Sequence, residues 1–293
     1  MNIRLSPTIA LLNSSTLTAL SGCIRLYLAF LLIGFRPDCL SCVAAGLIIY
    51  SIYTLDRTLE SKEDEINKAG LYNARRDIGL YVSIMAFIVG AGLFIIKNTI
   101  LIPFIPLIVG FFYSKGIRIR NFVFRLKGSL GGKNLVIGLT WGGTIALVIA
   151  PRVMNPFSVF AVFLFFFTKL FINSVIYDMK DVKGDVSAGI RTLPVILGDH
   201  TTKLVLAGLC VFIHLFIALS MITGILRPEI IILIISFLSS FSILMVYSSA
   251  LERSLSWTLR HMRILCIDCE APFTLILRQI LRGQFWMIAL YST

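Results

Sequence analysis

Charge is what this chain lacks most. Only 14% of its residues are Asp, Glu, Lys or Arg, against about a quarter in an ordinary soluble domain. That shortage excludes a water-soluble enzyme with a solvated surface. No Pro-, Gly- or Ser-rich hinge and no low-complexity tract interrupts the sequence, so residues 1–293 read as one domain. The three histidines, His200, His214 and His261, are scattered and make no metal-binding pattern. No clear small-residue cleavage site follows the first apolar run, which argues against a removable signal peptide.

Apolar length is what the chain has in excess. Hydrophobic residues make up 57% of it, with a mean hydropathy of +0.90. Runs such as Ile78–Ile96, Phe157–Ile172, Leu204–Ile222 and Ile230–Tyr247 carry almost no charge. They approach the roughly 20 residues that a helix needs to cross a hydrocarbon core. The expected spans are Thr16–Ile33, Leu40–Leu55, Ile78–Ile96, Ile100–Tyr113, Leu135–Ala150, Phe157–Tyr177, Leu204–Ile222, Ile230–Tyr247 and Leu275–Tyr291. The fold class is therefore all-α, a polytopic membrane bundle of about nine transmembrane helices. Residues 252–293 are the least regular part, because Arg, Cys and acids mix with apolar residues and Arg278 and Arg282 fall in or beside the ninth span. This poorly defined C-terminal segment reads as a degenerate helix or an altered reading frame.

A net charge of +12 would suit nucleic acid, but the basic residues are not gathered on one soluble face. The loops after spans 2, 4, 6 and 8 hold 18 Lys/Arg, and those after spans 1, 3, 5 and 7 hold 4. The positive-inside bias places the first set and the N-terminus in the cytoplasm. Of the 15 acids, all but Asp38 and Glu229 lie in or beside those same loops. The expected setting is a cell membrane, with lipids rather than nucleic acid around the protein and any chemistry on the cytoplasmic side.

Two acidic helix ends stand out there. Asp56, Glu60 and Asp64 are each four residues apart, and Asp178, Asp181 and Asp185 follow an i, i+3, i+7 pattern, so each trio shares a face if helical. Gly184 is a candidate helix end within the second. Hard oxygen ligands at such spacing suit magnesium (Mg2+), which is usually held by one or two carboxylates plus substrate phosphates. The bland reading is a pair of solvated acidic helix ends. Between the motifs runs a basic loop, Lys115, Arg118, Arg120, Lys127 and Lys133-Asn134, whose cations would clamp phosphate oxygens or merely mark the cytoplasmic side.

Within the spans, Arg25 and Lys169 are ionisable residues at membrane depth, where such residues usually face a cavity or a partner. Lys169, Asn173, Tyr177 and Asp181 recur every four residues and form one stripe leading to the second motif. With Arg25 they are the candidates for lining a cavity, against a role in snorkelling or helix packing. Two Cys-x-x-Cys pairs, Cys39/Cys42 and Cys266/Cys269, fall on opposite sides of the membrane by this topology and so cannot make one four-cysteine site.

The run Asp178-Met-Lys-Asp181-Val-Lys-Gly184-Asp185, followed by Gly189-Ile-Arg191-Thr192-Leu-Pro194, resembles the second motif of the UbiA superfamily of intramembrane prenyltransferases. Tyr113-Ser, Lys127 and Lys133-Asn134 ahead of Trp141-Gly142 are similar to a further stretch of that family. The first motif departs from the family's Asn-Asp-x-x-Asp-x-x-x-Asp pattern, with Ile52 and Tyr53 at the leading pair and Glu60 at the last position. The resemblance implies a helical bundle around a central cavity and a transferase of isoprenoid biosynthesis. It would use magnesium to move a polyprenyl group from a polyprenyl diphosphate to an aromatic or lipid-like hydrophobic acceptor. Asp56, Glu60, Asp178, Asp181 and Asp185 would hold the metal, with Asp56, Asp178 and Asp181 catalytic. Lys127, Lys133 and Arg191 would bind the diphosphate. Alternatives are a transporter or catalytically silent scaffold, and a CDP-alcohol phosphotransferase, whose Asp-Gly-x-x-Ala-Arg run the sequence lacks.

Overall fold

The computed structural model describes residues 6–59, 74–115, 117–119, 122–124, 132–187, 189–247 and 265–291. Apolar segments become helices because hydrocarbon offers no partner to backbone N–H and C=O groups, which a helix satisfies within itself. In chain order these are α1 Pro7–Asn13, α2 Thr16–Leu32, α3 Cys39–Thr58, α4 Arg76–Ile96, α5 Phe104–Lys115, α6 Gly132–Ile149, α7 Pro156–Ser187, α8 Leu193–Ile222, α9 Ile230–Val246 and α10 Glu270–Tyr291. Among the described residues six segments are long and apolar enough to cross a membrane: Pro7–Leu32, Cys39–Thr58, Arg76–Ile96, Gly132–Arg152, Pro156–Met179 and Leu193–Ile222. The fourth, eighth and ninth expected spans correspond to α5, α9 and α10. Helix α5 has 12 residues and α9 has 17, and α10 carries charge along its length. The protein is an integral membrane helical bundle.

Three local features differ from the sequence expectation. A two-stranded antiparallel hairpin, β1 Ile117–Ile119 against β2 Phe122–Phe124, lies inside the basic loop of an otherwise all-helical fold. Gly184 does not end its helix; α7 continues to Ser187, so the whole Asp178–Asp185 motif is helical. Helix α8 begins eleven residues earlier than Leu204, with Pro194 in its first turn, where a missing N–H costs nothing. It kinks at Gly198, whose φ of +72° is a left-handed conformation that glycine adopts without strain.

Small residues set the helix spacing. A Cβ built on Gly142 of α6 would lie 2.8 Å from the backbone N of Phe167 in α7, and one on Gly138 would lie 2.9 Å from the Phe167 carbonyl oxygen. Backbone cannot rotate out of the way as a side chain can. Gly142→Ala is therefore expected to force α6 and α7 apart, lowering unfolding stability in detergent by about 1–3 kcal/mol. Gly143→Ala, with nothing within 4 Å, should be neutral or slightly stabilising in the same melts.

Charges at the two ends pair within their own end. Asp38 caps α3 by accepting from the Ser41 amide, and it also pairs with Arg152 (2.6 Å) and Lys97 (3.0 Å). The connections after α2, α4 and α6 thus meet at one end, and the acidic motifs sit at the other. The described part of the C-terminal segment is helical over Glu270–Tyr291. Helix α10 packs on α2 and α9, and its charges have partners. Arg278 makes a bidentate pair with Glu229 (2.7 and 3.0 Å), and Arg282 approaches the same carboxylate at 3.4 Å.

Candidate active site

Helices α2, α3, α4, α6 and α7 and the turn before α10 enclose a cavity of about 330 Å³. Its wall is apolar over much of its area, with Leu26, Ile48, Phe94 and Ile145, and turns polar toward the end that holds the second motif. Tyr53 and Trp141 stack across it, their ring centroids 6.0 Å apart.

The second motif folds around one fully buried carboxylate. Asp178 is 0% exposed. One of its oxygens accepts from Lys133 Nζ (2.8 Å) and the other from Asn134 Nδ2 (2.8 Å), which also donates to Ser174 Oγ at 3.0 Å. Lys133 and Asn134 reach it because α6 starts at Gly132, placing both in a first turn whose free amides favour negative charge. Asn134 Oδ1 is buried and accepts no hydrogen bond from the described residues, an arrangement that ordinarily costs about 1–3 kcal/mol. Asp181, three residues further along α7, lies on the cavity wall. Asp185 is buried and accepts from Thr192 Oγ1 at 3.2 Å. Burial first, and then the charge of Asp178, push its carboxyl up to about 6, with Lys133 and the Thr192 hydroxyl pulling the other way.

This cluster is suited to a divalent cation. Its donors are all carboxylate oxygens, and Asp185 is raised by burial first and by the neighbouring charge of Asp178 second. Among the described residues no three His, Cys, Asp or Glu side chains close a metal site by themselves. Magnesium needs only one or two carboxylates, because it keeps waters and takes the rest of its shell from substrate phosphates; the donor chemistry of Asp178, Asp181 and Asp185 on α7 suits it.

Other expected site residues fall elsewhere. Asp56 is exposed at the end of α3, at the acidic end of the bundle but off the cavity wall. Glu60 and Lys127 lie outside the described residues. Arg191 is exposed in the turn between α7 and α8, away from the cavity. Arg25, Asn173 and Tyr177 do line it. Lys169 does not, because a carboxylate lies nearer: its ammonium pairs with Glu270 of α10 and donates to Ser236 Oγ (2.9 Å) and to Ser240. Asn173 joins the two regions by donating to Glu270 Oε2 at 3.4 Å.

Sequence reasoning missed Arg57 and Asp268 as cavity residues. Arg57 lines the cavity while donating to Ser14 Oγ (2.9 Å) and Ser15 Oγ (2.7 Å). Asp268 reaches it from the turn before α10. Burial holds the Asp268 carboxyl above the usual carboxylate range, against the pull of Arg25. The signal was an acid pair, Asp268 and Glu270, just ahead of an apolar run.

Comparison with known proteins bears on the family and the fold. The UbiA prenyltransferase family model matches residues 40–265. Among solved structures, one of digeranylgeranylglyceryl phosphate synthase is 16% identical, covering 92% of this chain and 98% of that one, with a TM-score of 0.55. A UbiA homologue from Archaeoglobus fulgidus bound to GPP and Mg2+ is 13% identical, covering 94% of this chain and 100% of that one, with a TM-score of 0.61. A DMAPP- and Mg2+-bound structure of a homologue from the same organism gives 12% identity, the same coverage and a TM-score of 0.61. No curated protein matches by sequence. Identities this low speak for the fold alone, but the family match spans most of the sequence: the chain belongs to the UbiA prenyltransferase family.

Proposed function

We propose that the protein moves a polyprenyl group from a polyprenyl diphosphate to an aromatic or lipid-like acceptor, with magnesium and with release of diphosphate. The observation that carries this reading is the apolar cavity joined at one end to the buried Asp178–Lys133–Asn134 cluster. The A. fulgidus homologues carrying GPP or DMAPP with Mg2+ support it by analogy of fold.

Asp178, Asp181 and Asp185 would hold the metal at the polar end, and Asp56, projecting from the same end of the bundle, is proposed to complete its ligation. When bound, magnesium supplies charge neutralisation that makes diphosphate a better leaving group. Lys133 lies on the cavity wall with its ammonium already aimed at this end, so it can follow the oxygens as their charge grows. The stacked Tyr53 and Trp141 rings offer negative faces to an allylic cation. The apolar wall excludes the water that would quench it. The loop charges orient the N-terminus and the acidic end toward the cytoplasm.

The test is an incubation of the full chain in lipid vesicles with geranyl or geranylgeranyl diphosphate and a panel of acceptors, with and without magnesium. Diphosphate release and a prenylated product are expected only with magnesium. A protein that releases no diphosphate with any acceptor would instead be a transporter or a silent scaffold.

A further inference from the structure

The family match ends at residue 265, and the cavity has a wall residue three positions beyond it. Asp268 is 8% exposed. It accepts a hydrogen bond from Thr18 Oγ1 of α2 at 3.3 Å and another from the Tyr177 hydroxyl of α7. The charged and titratable groups facing it are Arg25 of α2, Tyr53 and Arg57 of α3 and Tyr177 of α7, with Cys269 beside it on its own segment. Tyr177 precedes Asp181 by one helical turn, about 6 Å of rise. The Asp268 carboxylate therefore lies one tyrosine side chain and one turn from the end where diphosphate would leave.

Prenyl transfer to a hydroxyl-bearing acceptor leaves a proton to be placed. The acceptor forms a bond to the allylic carbon, the carbon–oxygen bond to diphosphate breaks with its electron pair on diphosphate, and the acceptor must shed H+. Lys133, Arg25 and Arg57 are cationic and cannot take it. Of the described side chains on the cavity wall, Asp181 and Asp268 are the carboxylates, and Asp181 belongs to the metal end. Two guanidiniums beside Asp268 would steady the oxyanion that deprotonation leaves behind.

Resting on the prenyl-transfer reading above, we infer that Asp268 is the general base of the reaction. It takes the hydroxyl proton of a phenol or alcohol acceptor held between Arg25 and Arg57. The oxygen so exposed attacks the allylic carbon, or the ring carbon conjugated to it does and its hydrogen then moves to the oxygen to restore the ring; the proton leaves from Asp268 to solvent after diphosphate departs. Tyr177 and Thr18 position the carboxylate by donating to it.

The experiment uses the full chain with geranyl diphosphate, magnesium and three hydroxyl probes: 4-hydroxybenzoate, 1,4-dihydroxy-2-naphthoate and geranylgeranylglyceryl phosphate. With whichever probe the wild type accepts, Asp268→Asn should lower kcat about 100-fold or more. The KM for geranyl diphosphate should stay the same, and Asp268→Glu should restore part of the rate. The methyl ether of the accepted probe should not react with the wild type. The inference is overturned if Asp268→Asn stays within about threefold of wild type, if the methyl ether reacts as fast as the free hydroxyl, or if Asp268→Asn no longer binds geranyl diphosphate with magnesium, which would mark a structural role. A wild type that releases no diphosphate overturns the prenyl-transfer reading itself.

Discussion

Asp178→Asn is expected to reduce prenyl transfer by about 10²–10³-fold while leaving the bundle folded. The asparagine has the same shape; its amide oxygen keeps the bond from Lys133, and its NH2 can donate to Asn134 Oδ1 once the Asn134 amide turns over, so packing around this fully buried position survives. What goes is the negative charge, and three things depend on it. A divalent cation loses a hard oxygen donor, Lys133 loses the counter-charge that holds its ammonium at the polar end, and Asp185 is no longer crowded by a neighbouring carboxylate. The variant should therefore fail at magnesium-dependent binding of geranyl diphosphate as well as at turnover. Diphosphate release and ligand binding, measured side by side in vesicles, check this. Wild-type rates in Asp178→Asn would mean that the metal end has been assigned to the wrong helix.

Glu270→Gln should unfold the protein more readily than any change at the cavity mouth. The carboxylate and Lys169 are both nearly inaccessible, with side-chain exposures of 4% and 6%. Removing one charge strands the other in a water-free interior, which typically costs about 3–5 kcal/mol. Ser236 and Ser240 keep hydrogen-bonding the ammonium, but hydroxyls do not replace a counter-charge. Replacing both partners, Lys169→Met with Glu270→Met, should recover most of the loss, since apolar pairs of similar volume often match a buried ion pair. Thermal melts in detergent of Lys169→Met, Glu270→Met and the double variant give the coupling directly. A double variant no better than Glu270→Gln would show that the serines and Asn173, rather than the pair, fix this part of α10.

Much of this architecture was readable one segment at a time. The long apolar runs gave α2, α3, α4, α6 and α9 to within a few residues, because a spanning helix is defined by its own composition. The Asp178–Asp185 spacing pointed to a shared face, and α7 does carry all three. What stayed hidden depends on separations that no local window contains. Lys169 read as a cavity residue because its stripe ends at Asp181; its acid is 101 positions downstream. Arg278 and Arg282 read as faults in a span until Glu229, across a helix–helix contact, accounted for them. Asp268 drew no attention because its pairing with Glu270 two positions on, in a mixed segment, puts the two acids on different sides of a helix rather than on one face. The Gly198 kink and the β1–β2 hairpin are set by backbone geometry that a hydropathy pattern does not encode.

The buried pairs on α10 also impose a schedule on synthesis. Lys169 enters the bilayer with α7, and its carboxylate partner is still 101 residues from being made. At about 5–20 residues per second, translation leaves that ammonium uncompensated for roughly 5–20 s. Glu229 waits roughly 2–10 s for Arg278, 49 residues later, by the same arithmetic. A bare charge at membrane depth is costly, so the nascent bundle must shelter Lys169, against the translocon or by snorkelling, until α10 arrives. Docking of this helix ends that wait, and whatever slows its arrival prolongs the interval in which the bundle is exposed to quality control.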